Sequence, residues 1–325
     1  MIYFDNAATT RVFPEVVKVM QDAMESSYGN PSAKHMKGME AENLVKKAQE
    51  VIAKTLKAKP KEILFTSGGT ESNNTALIGT ALANQRKGKH IITTKIEHAS
   101  VYEPIAWLCE QGFEITYLDV TAEGIIDLEQ LKNAIREDTI LVSCMMINNE
   151  IGAIEPIEEA GKIIKEKNPE TIFHVDAIQA YGKMPIIPKN LKIDLLSMSG
   201  HKIHGPKGIG FLYIKEGTKI QPIIFGGGQQ KGMRSGTENV PGIVGLACAC
   251  EKMIKNDYEN AQRIREVKEY FQERIKEIED IKDNSGQAPH IASISFKKIR
   301  SEVLLHALED RGIYVSSGSA CSSNK

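Results

Sequence analysis

Between about residue 60 and residue 215, short apolar runs alternate with polar stretches of helical texture. The runs are EILFT (62–66), HIITTKI (90–96), FEITYLDV (113–120), TILVSCMMI (139–147), TIFHVD (171–176), DLLSMS (194–199) and GIGFLYI (208–214). They are rich in β-branched and aromatic residues, which suit a pleated surface. Between them, Leu128–Ile135 and Glu155–Lys167 repeat apolar residues at helical spacing. Strand–helix alternation predicts an α/β fold, with a mostly parallel central sheet covered by helices on both faces. Right-handed crossovers then bring the strand C-termini to one edge, where ligands bind.

The texture changes near Cys250. Residues 251–280 read as one long amphipathic helix, dense in Glu and Lys. A further strand–helix unit follows, IASISF (291–296) and SEVLLHALEDRG (301–312), and then the Ser/Gly-rich SSGSACSSNK (316–325). The division expected is a large domain over 14–250 and a smaller α+β domain made of 1–13 with 251–325. No internal repeat or low-complexity linker interrupts the chain.

Composition adds mainly exclusions. With 41 Lys+Arg against 42 Asp+Glu among 325 residues, no whole-molecule field favours nucleic acid or an anionic membrane. No apolar run reaches the roughly 18–20 residues of a membrane helix. The start, Met-Ile-Tyr-Phe-Asp-Asn, lacks the basic and apolar regions of a signal peptide, so a cytoplasmic address is expected. Five scattered cysteines do not form a disulfide framework. Cys109, Cys144, Cys248 and Cys250 read as small buried hydrophobes, and no metal site is expected.

Chemistry gathers just after the predicted strands. Lys202 sits in SGHKIHGPKG (199–208), between a strand and a Gly/Pro turn. A lysine held in a pocket can serve as an amine nucleophile, and one in a turn can equally lie at the surface. Asp176 closes an apolar strand, where a carboxylate can face a protonated pyridine nitrogen or cap a helix. LFTSGGTESNN (64–74) is a strand, a small-residue loop and a helix start, a phosphate cradle or a plain turn. His98, in EHAS (97–100), could stack on a planar ring and move protons, or be structural. Asn149, in NNEIG (148–152), could donate to a phenolic oxygen or shape a turn.

The set and its order resemble fold-type I enzymes that use pyridoxal 5'-phosphate (PLP), and the wording is closer still to the NifS/IscS-type cysteine desulfurases. YFDNAATT (3–10), YGNPSAKH (28–35), TSGGTESNN (66–74), EHAS, NNEIG, HVDAIQ (174–179), SGHKIHGPKG, GMRSGTEN (232–239) and SSGSACSS (316–323) match that family's pattern across essentially the whole chain. The resemblance implies that Lys202 carries PLP covalently and later moves protons. Asp176 binds the pyridine nitrogen, and Gln179 and Asn149 the region of the phenolic oxygen. His98 stacks on the ring and assists proton transfer, while Thr70, Glu71, Ser199 and His201 line phosphate and ring. Thr237 reaches the cofactor of a neighbouring subunit, which implies a homodimer.

Cys321 is the implied nucleophile. Its Ser- and Gly-rich surroundings cannot build a core, so the thiol is expected on a mobile, exposed loop, free to take sulfur from L-cysteine and carry a persulfide outward. The acceptor would be an iron–sulfur scaffold protein or a tRNA-thiolation enzyme. Members of the family run on well past this cysteine, to an arginine that grips the substrate carboxylate. The chain ends at Lys325, so truncation is expected and that arginine is not named. Rival readings are a selenocysteine lyase, a sulfur-delivery scaffold, and an aminotransferase, which would need no persulfide cysteine.

Overall fold

The structure is a computed structural model that describes residues 1–255 and 257–318. Its strands are β1 (Ile2–Tyr3), β2 (Ile63–Thr66), β3 (His90–Thr94), β4 (Glu114–Leu118), β5 (Thr139–Met145), β6 (Ile172–Asp176), β7 (Leu195–Ser199), β8 (Gly210–Ile214), β9 (Ile281–Asp283), β10 (Ile294–Phe296) and β11 (Ile313–Tyr314). The helices are α1 (Pro14–Ser26), α2 (Met36–Thr55), α3 (Gly69–Asn84), α4 (Ala99–Glu110), α5 (Leu128–Ala134), α6 (Ile157–Lys167), α7 (Val240–Lys255), α8 (Asp257–Ile275) and α9 (Ser301–Glu309).

All seven apolar runs become strands of one sheet, in the order β2-β8-β7-β6-β5-β3-β4. β3, β4, β5, β6 and β7 pair in parallel. β8 runs antiparallel to both β7 and β2, so β2 points the same way as the parallel set. Apart from the edge strand β4, the strands are buried on both faces, which explains why they read as apolar runs without strict alternation. Phe173, Val175, Leu196, Met198, Phe211 and Tyr213 face a core shared with α1, α2, α5, α6 and α7. Ile91, Leu195 and Leu212 face the other side, against Ala76 and Leu77 of α3 and Ile105 and Leu108 of α4. Each such large side chain contributes about 1.5–3 kcal/mol on leaving water.

Two expectations need correction. Residues 251–280 are not one helix: 251–255 finish α7, which begins at Val240, and α8 occupies Asp257–Ile275. The apolar stretch before Glu251 is helical too, because Ile243, Leu246, Ala249 and Cys250 pack into the core beside α1 and α2. Cys144 and Cys250 are buried as expected, but Cys109 is exposed near the end of α4 and Cys248 is half-buried.

The first residues return to the end of the chain. β1 pairs in parallel with β11, Ile2 with Ile313 and Tyr3 with Tyr314. The segment before β10 docks on the turn after β5: Gly286 N–H donates to Ile151 O at 2.6 Å and Ala288 N–H to Gly152 O at 2.9 Å. A Cβ on Gly286 would lie 2.5 Å from Ala153 N, so only glycine allows that approach. No described helix is long and apolar enough to cross a membrane.

Candidate active site

The strands β2, β3, β5, β6 and β7 end on one edge of the sheet, and each delivers polar residues there. After β2 the chain turns through Gly68, at φ +148°, into α3. A Cβ on Gly69 would lie 2.2 Å from Ile178 Cδ1. Beneath this loop, a Cβ on Gly210 would lie 2.4 Å from Met198 O and 2.9 Å from Gly68 Cα. Small residues therefore let the loop sink onto the sheet, leaving the first N–H groups of α3 to face an anion. Thr70 stands exposed in that first turn.

After β3, His98 caps α4: its Nδ1 accepts from the Ser100 N–H at 3.1 Å. Burial holds this imidazole below the ordinary histidine pKa; Lys202 lowers it further, whereas Asp176 and Glu150 pull it upward. Asp176 ends β6 and is buried. Its Oδ1 accepts from Ile178 N–H at 2.9 Å and its Oδ2 from Asn73 Nδ2 at 2.8 Å. Asp176 thus shapes the turn that follows β6, where no helix begins, and it also lines the cavity. Burial raises its pKa against those hydrogen bonds and the nearby His98 and Lys202.

Lys202 follows β7 in a short 3-10 turn, Gly200–Lys202. Its Nζ donates to Ala7 O at 2.5 Å and Ala8 O at 2.9 Å, so the N-terminal segment forms one wall. Gln179 Nε2 donates to the same Ala7 carbonyl at 2.9 Å. His201 Nδ1 meets Thr9 Oγ1 at 3.2 Å. Burial, followed by Lys202, Lys207 and Lys183, depresses the His201 pKa to about 4, so the ring is neutral near pH 7.

A cavity of about 900 Å³ joins these groups. Thr70, His98, Asn149, Asp176, Gln179, Ser199, His201 and Lys202 all line it. Two predicted residues do not. Glu71 turns to Arg234, which grips it through Nε at 2.9 Å and Nη2 at 3.2 Å. Thr237 is exposed and outside the cavity lining. Cys321 lies outside the described residues, while Val315, Ser316 and Gly318 line the cavity.

Other residues at the site escaped the sequence reading. Lys183 donates to Lys202 O at 3.1 Å, and burial, with Lys202, lowers its pKa to about 7. His290 comes from the segment before β10, with Nε2 3.3 Å from Gln179 Oε1. Glu97 accepts from Met145 N–H at 2.8 Å and Thr94 Oγ1 at 2.9 Å. Burial, then Asp176, raises its pKa to about 8. Lys183, Asn73 and Ser100 lie within or beside the quoted motifs, and that proximity was the available signal.

Chemically, a helix N-terminus, a buried carboxylate and an amine border one cavity. That donor set fits a ligand carrying an anion, a protonatable ring nitrogen and a carbonyl. Among the described residues no cluster of three His, Cys, Asp or Glu could hold a metal ion.

The sequence profile of the aminotransferase class-V family matches residues 2–325. The cysteine desulfurase IscS of Dictyoglomus turgidum is 48% identical over 327 residues, which cover 99% of this chain and 82% of that protein. The cysteine desulfurase IscS of Methanosarcina thermophila is 47% identical, covering 99% and 80%. Among solved structures, a NifS-like protein superposes with a TM-score of 0.95 at 42% identity, covering 97% of this chain and 87% of that one. SspA in complex with cysteine superposes with a TM-score of 0.86 at 36% identity, covering 100% and 91%. With its parallel sheet, its strand-edge cavity and these relatives, the chain belongs to the aminotransferase class-V family, in the NifS/IscS cysteine desulfurase group.

Proposed function

We propose that the chain is a PLP-dependent cysteine desulfurase, converting L-cysteine and the Cys321 thiol into L-alanine and a Cys321 persulfide. The observation that carries this reading is convergence: Lys202, Asp176 and the α3 N-terminus share one cavity, and its lining continues to Gly318, three residues before Cys321. When bound, PLP supplies an electron sink that weakens bonds at the α-carbon of an amino acid.

The α3 N-terminus with Thr70 would hold the phosphate, and the Asp176 carboxylate the protonated ring nitrogen. Gln179 and Asn149 would face the phenolic oxygen, and His98 would cover the ring, with Ser199 and His201 beside it. Lys202 would carry the cofactor through Nζ and, once displaced by the substrate amine, move a proton at the α-carbon. Ala7 O and Ala8 O give that amine a place to rest.

Cys321 would act as thiolate on the substrate sulfur. The sulfur's bond to carbon breaks, a sulfur–sulfur bond forms at Cys321, and the carbon gains a proton to leave as alanine. The persulfide would pass to an acceptor protein such as an iron–sulfur scaffold or a tRNA-thiolation enzyme. We further propose a homodimer in which exposed Thr237 serves the partner's cofactor, and a smaller domain formed by 1–13 with 251–325. The β1–β11 pairing supports that division.

Trapping tests the reading. After L-cysteine is added to the PLP-loaded chain, alkylation and peptide mass mapping should find one extra sulfur on the Cys321 peptide. Cys321→Ala should lose it and keep the cofactor. Alanine formation undiminished in Cys321→Ala would overturn the role of Cys321, since the carbon–sulfur bond would then break without a persulfide on that residue.

A further inference from the structure

A polar network lies behind the cavity, centred on Asn73 of α3. Asn73 is fully buried. Its Nδ2 donates to Asp176 Oδ2 at 2.8 Å and to Ser100 Oγ at 2.8 Å. Reversing the amide would press Oδ1 against a carboxylate oxygen and lose the bond to Asp176. Its orientation is therefore determined, even though Oδ1 finds no partner among the described residues.

Ser100 continues the chain of donors. Having accepted from Asn73, its hydroxyl can turn its own hydrogen to His98 Nδ1, 2.8 Å away. The Ser100 backbone N–H donates to that same nitrogen at 3.1 Å. A ring nitrogen that accepts from an N–H carries no hydrogen, so the neutral imidazole has its proton on Nε2. The charged groups facing this ring are Asp176, Lys202 and Glu150, and Glu97 in turn faces Asp176.

We propose that Asn73 is a positioning residue that sets, from a single amide, both the orientation of the Asp176 carboxylate and the direction of the Ser100 hydroxyl, which adds a second donor to the His98 Nδ1 that already accepts from the Ser100 N–H. The inference rests on the PLP reading above and narrows it. The lone pair that would take a proton at His98 is committed to Ser100, so His98 acts as a neutral stacking plate and N–H donor. Proton movement at the substrate α-carbon is left to Lys202. Asn73 thereby couples the group under the ring nitrogen to the group over the ring face, and it touches neither substrate nor cofactor itself.

Two variants separate the arms of the network. Asn73→Ala removes the donor to both Asp176 and Ser100, whereas Ser100→Ala removes the hydroxyl between Asn73 and His98 and leaves the Asn73–Asp176 bond in place. Nitrogen-15 NMR of the histidines in the cofactor-free full chain should show neutral wild-type His98 as the Nε2–H tautomer. In both variants the backbone N–H of position 100 still keeps the hydrogen on Nε2, but His98, without a fixed hydroxyl donor at Nδ1, should titrate at higher pH. In the PLP-loaded chain, the pH at which the cofactor's visible absorbance changes should move in Asn73→Ala and stay in place in Ser100→Ala. Asn73→Ala should lose roughly 10- to 100-fold in kcat with little change in KM, as for other supporting-shell residues.

A wild-type His98 protonated on Nδ1 would overturn the proposal. So would a folded Asn73→Ala chain in which neither the histidine signal nor the absorbance transition moves. Should Asn73→Ala fail to fold by circular dichroism, Ser100→Ala still decides the histidine arm, and an unchanged His98 there overturns it. The histidine measurement needs no turnover, so it stands apart from any failure of the desulfurase reading.

Discussion

Lys202 and Asp176 were legible because Asp176 closes an apolar strand and Lys202 follows one, and a polar residue there faces the ligand edge. What surrounds them was not. Lys202 rests on carbonyls 195 and 194 residues earlier in the chain. The family resemblance placed Glu71 at the site, yet its partner Arg234 is 163 residues away. No local pattern encodes such pairings. Lys202→Ala should abolish alanine formation and the visible absorbance of the bound cofactor, read by spectrophotometry of the reconstituted chain. An unchanged spectrum would move the attachment point elsewhere.

Glu97 gives a stability test with a definite sign. Its pKa of about 8 in the folded chain exceeds the ordinary carboxylate value of 4.5. Between those values the folded state keeps a proton that the unfolded state has lost, so the residue's contribution to stability falls as pH rises from 4.5 to 8. Glu97→Gln, which keeps an oxygen for the Met145 N–H, should therefore raise Tm at pH 8 relative to wild type and change it little near pH 4. Equal Tm shifts at both pH values would contradict this.

At the scale of elements, seven strands appeared in the sequence within a few residues of their ends, because runs buried on both faces stand out from their flanks. The helices after Val240 were harder to place. Their boundary falls where an apolar core helix meets a Glu/Lys-rich one, and periodicity alone runs the two together. The loop between β2 and α3 depends on glycines set by neighbours, not by its own sequence. Gly210→Ala should push against Met198 O and the Gly68 backbone. We expect a loss of about 1–3 kcal/mol in denaturant unfolding, with weaker PLP binding in a fluorescence titration. Full PLP affinity with only the stability loss would show that the loop does not hold the phosphate.

For the whole molecule, the ends of the chain matter to the centre. Ala7 and Ala8 wall the cavity, β1 pairs with β11, and the segment carrying His290 docks on the turn that carries Asn149. The sequence suggested that residues 1–13 join the C-terminal part, as the β1–β11 pairing does, but gave no sign of the His290 contact, which exists only once the docking is made. Thr237, exposed on this chain, carries the proposal of a shared site. Sedimentation should give two copies, and Thr237→Val should weaken PLP binding although Thr237 lies outside its own chain's cavity. A monomer that binds PLP at full affinity would remove the shared-site proposal.

The central claim is sulfur removal from L-cysteine, and product analysis tests it most directly. The PLP-loaded 325-residue chain, given L-cysteine and a thiol reductant, should form alanine and sulfide in equal amounts. Pyruvate and ammonia in place of alanine, or alanine without sulfide, would contradict the assignment.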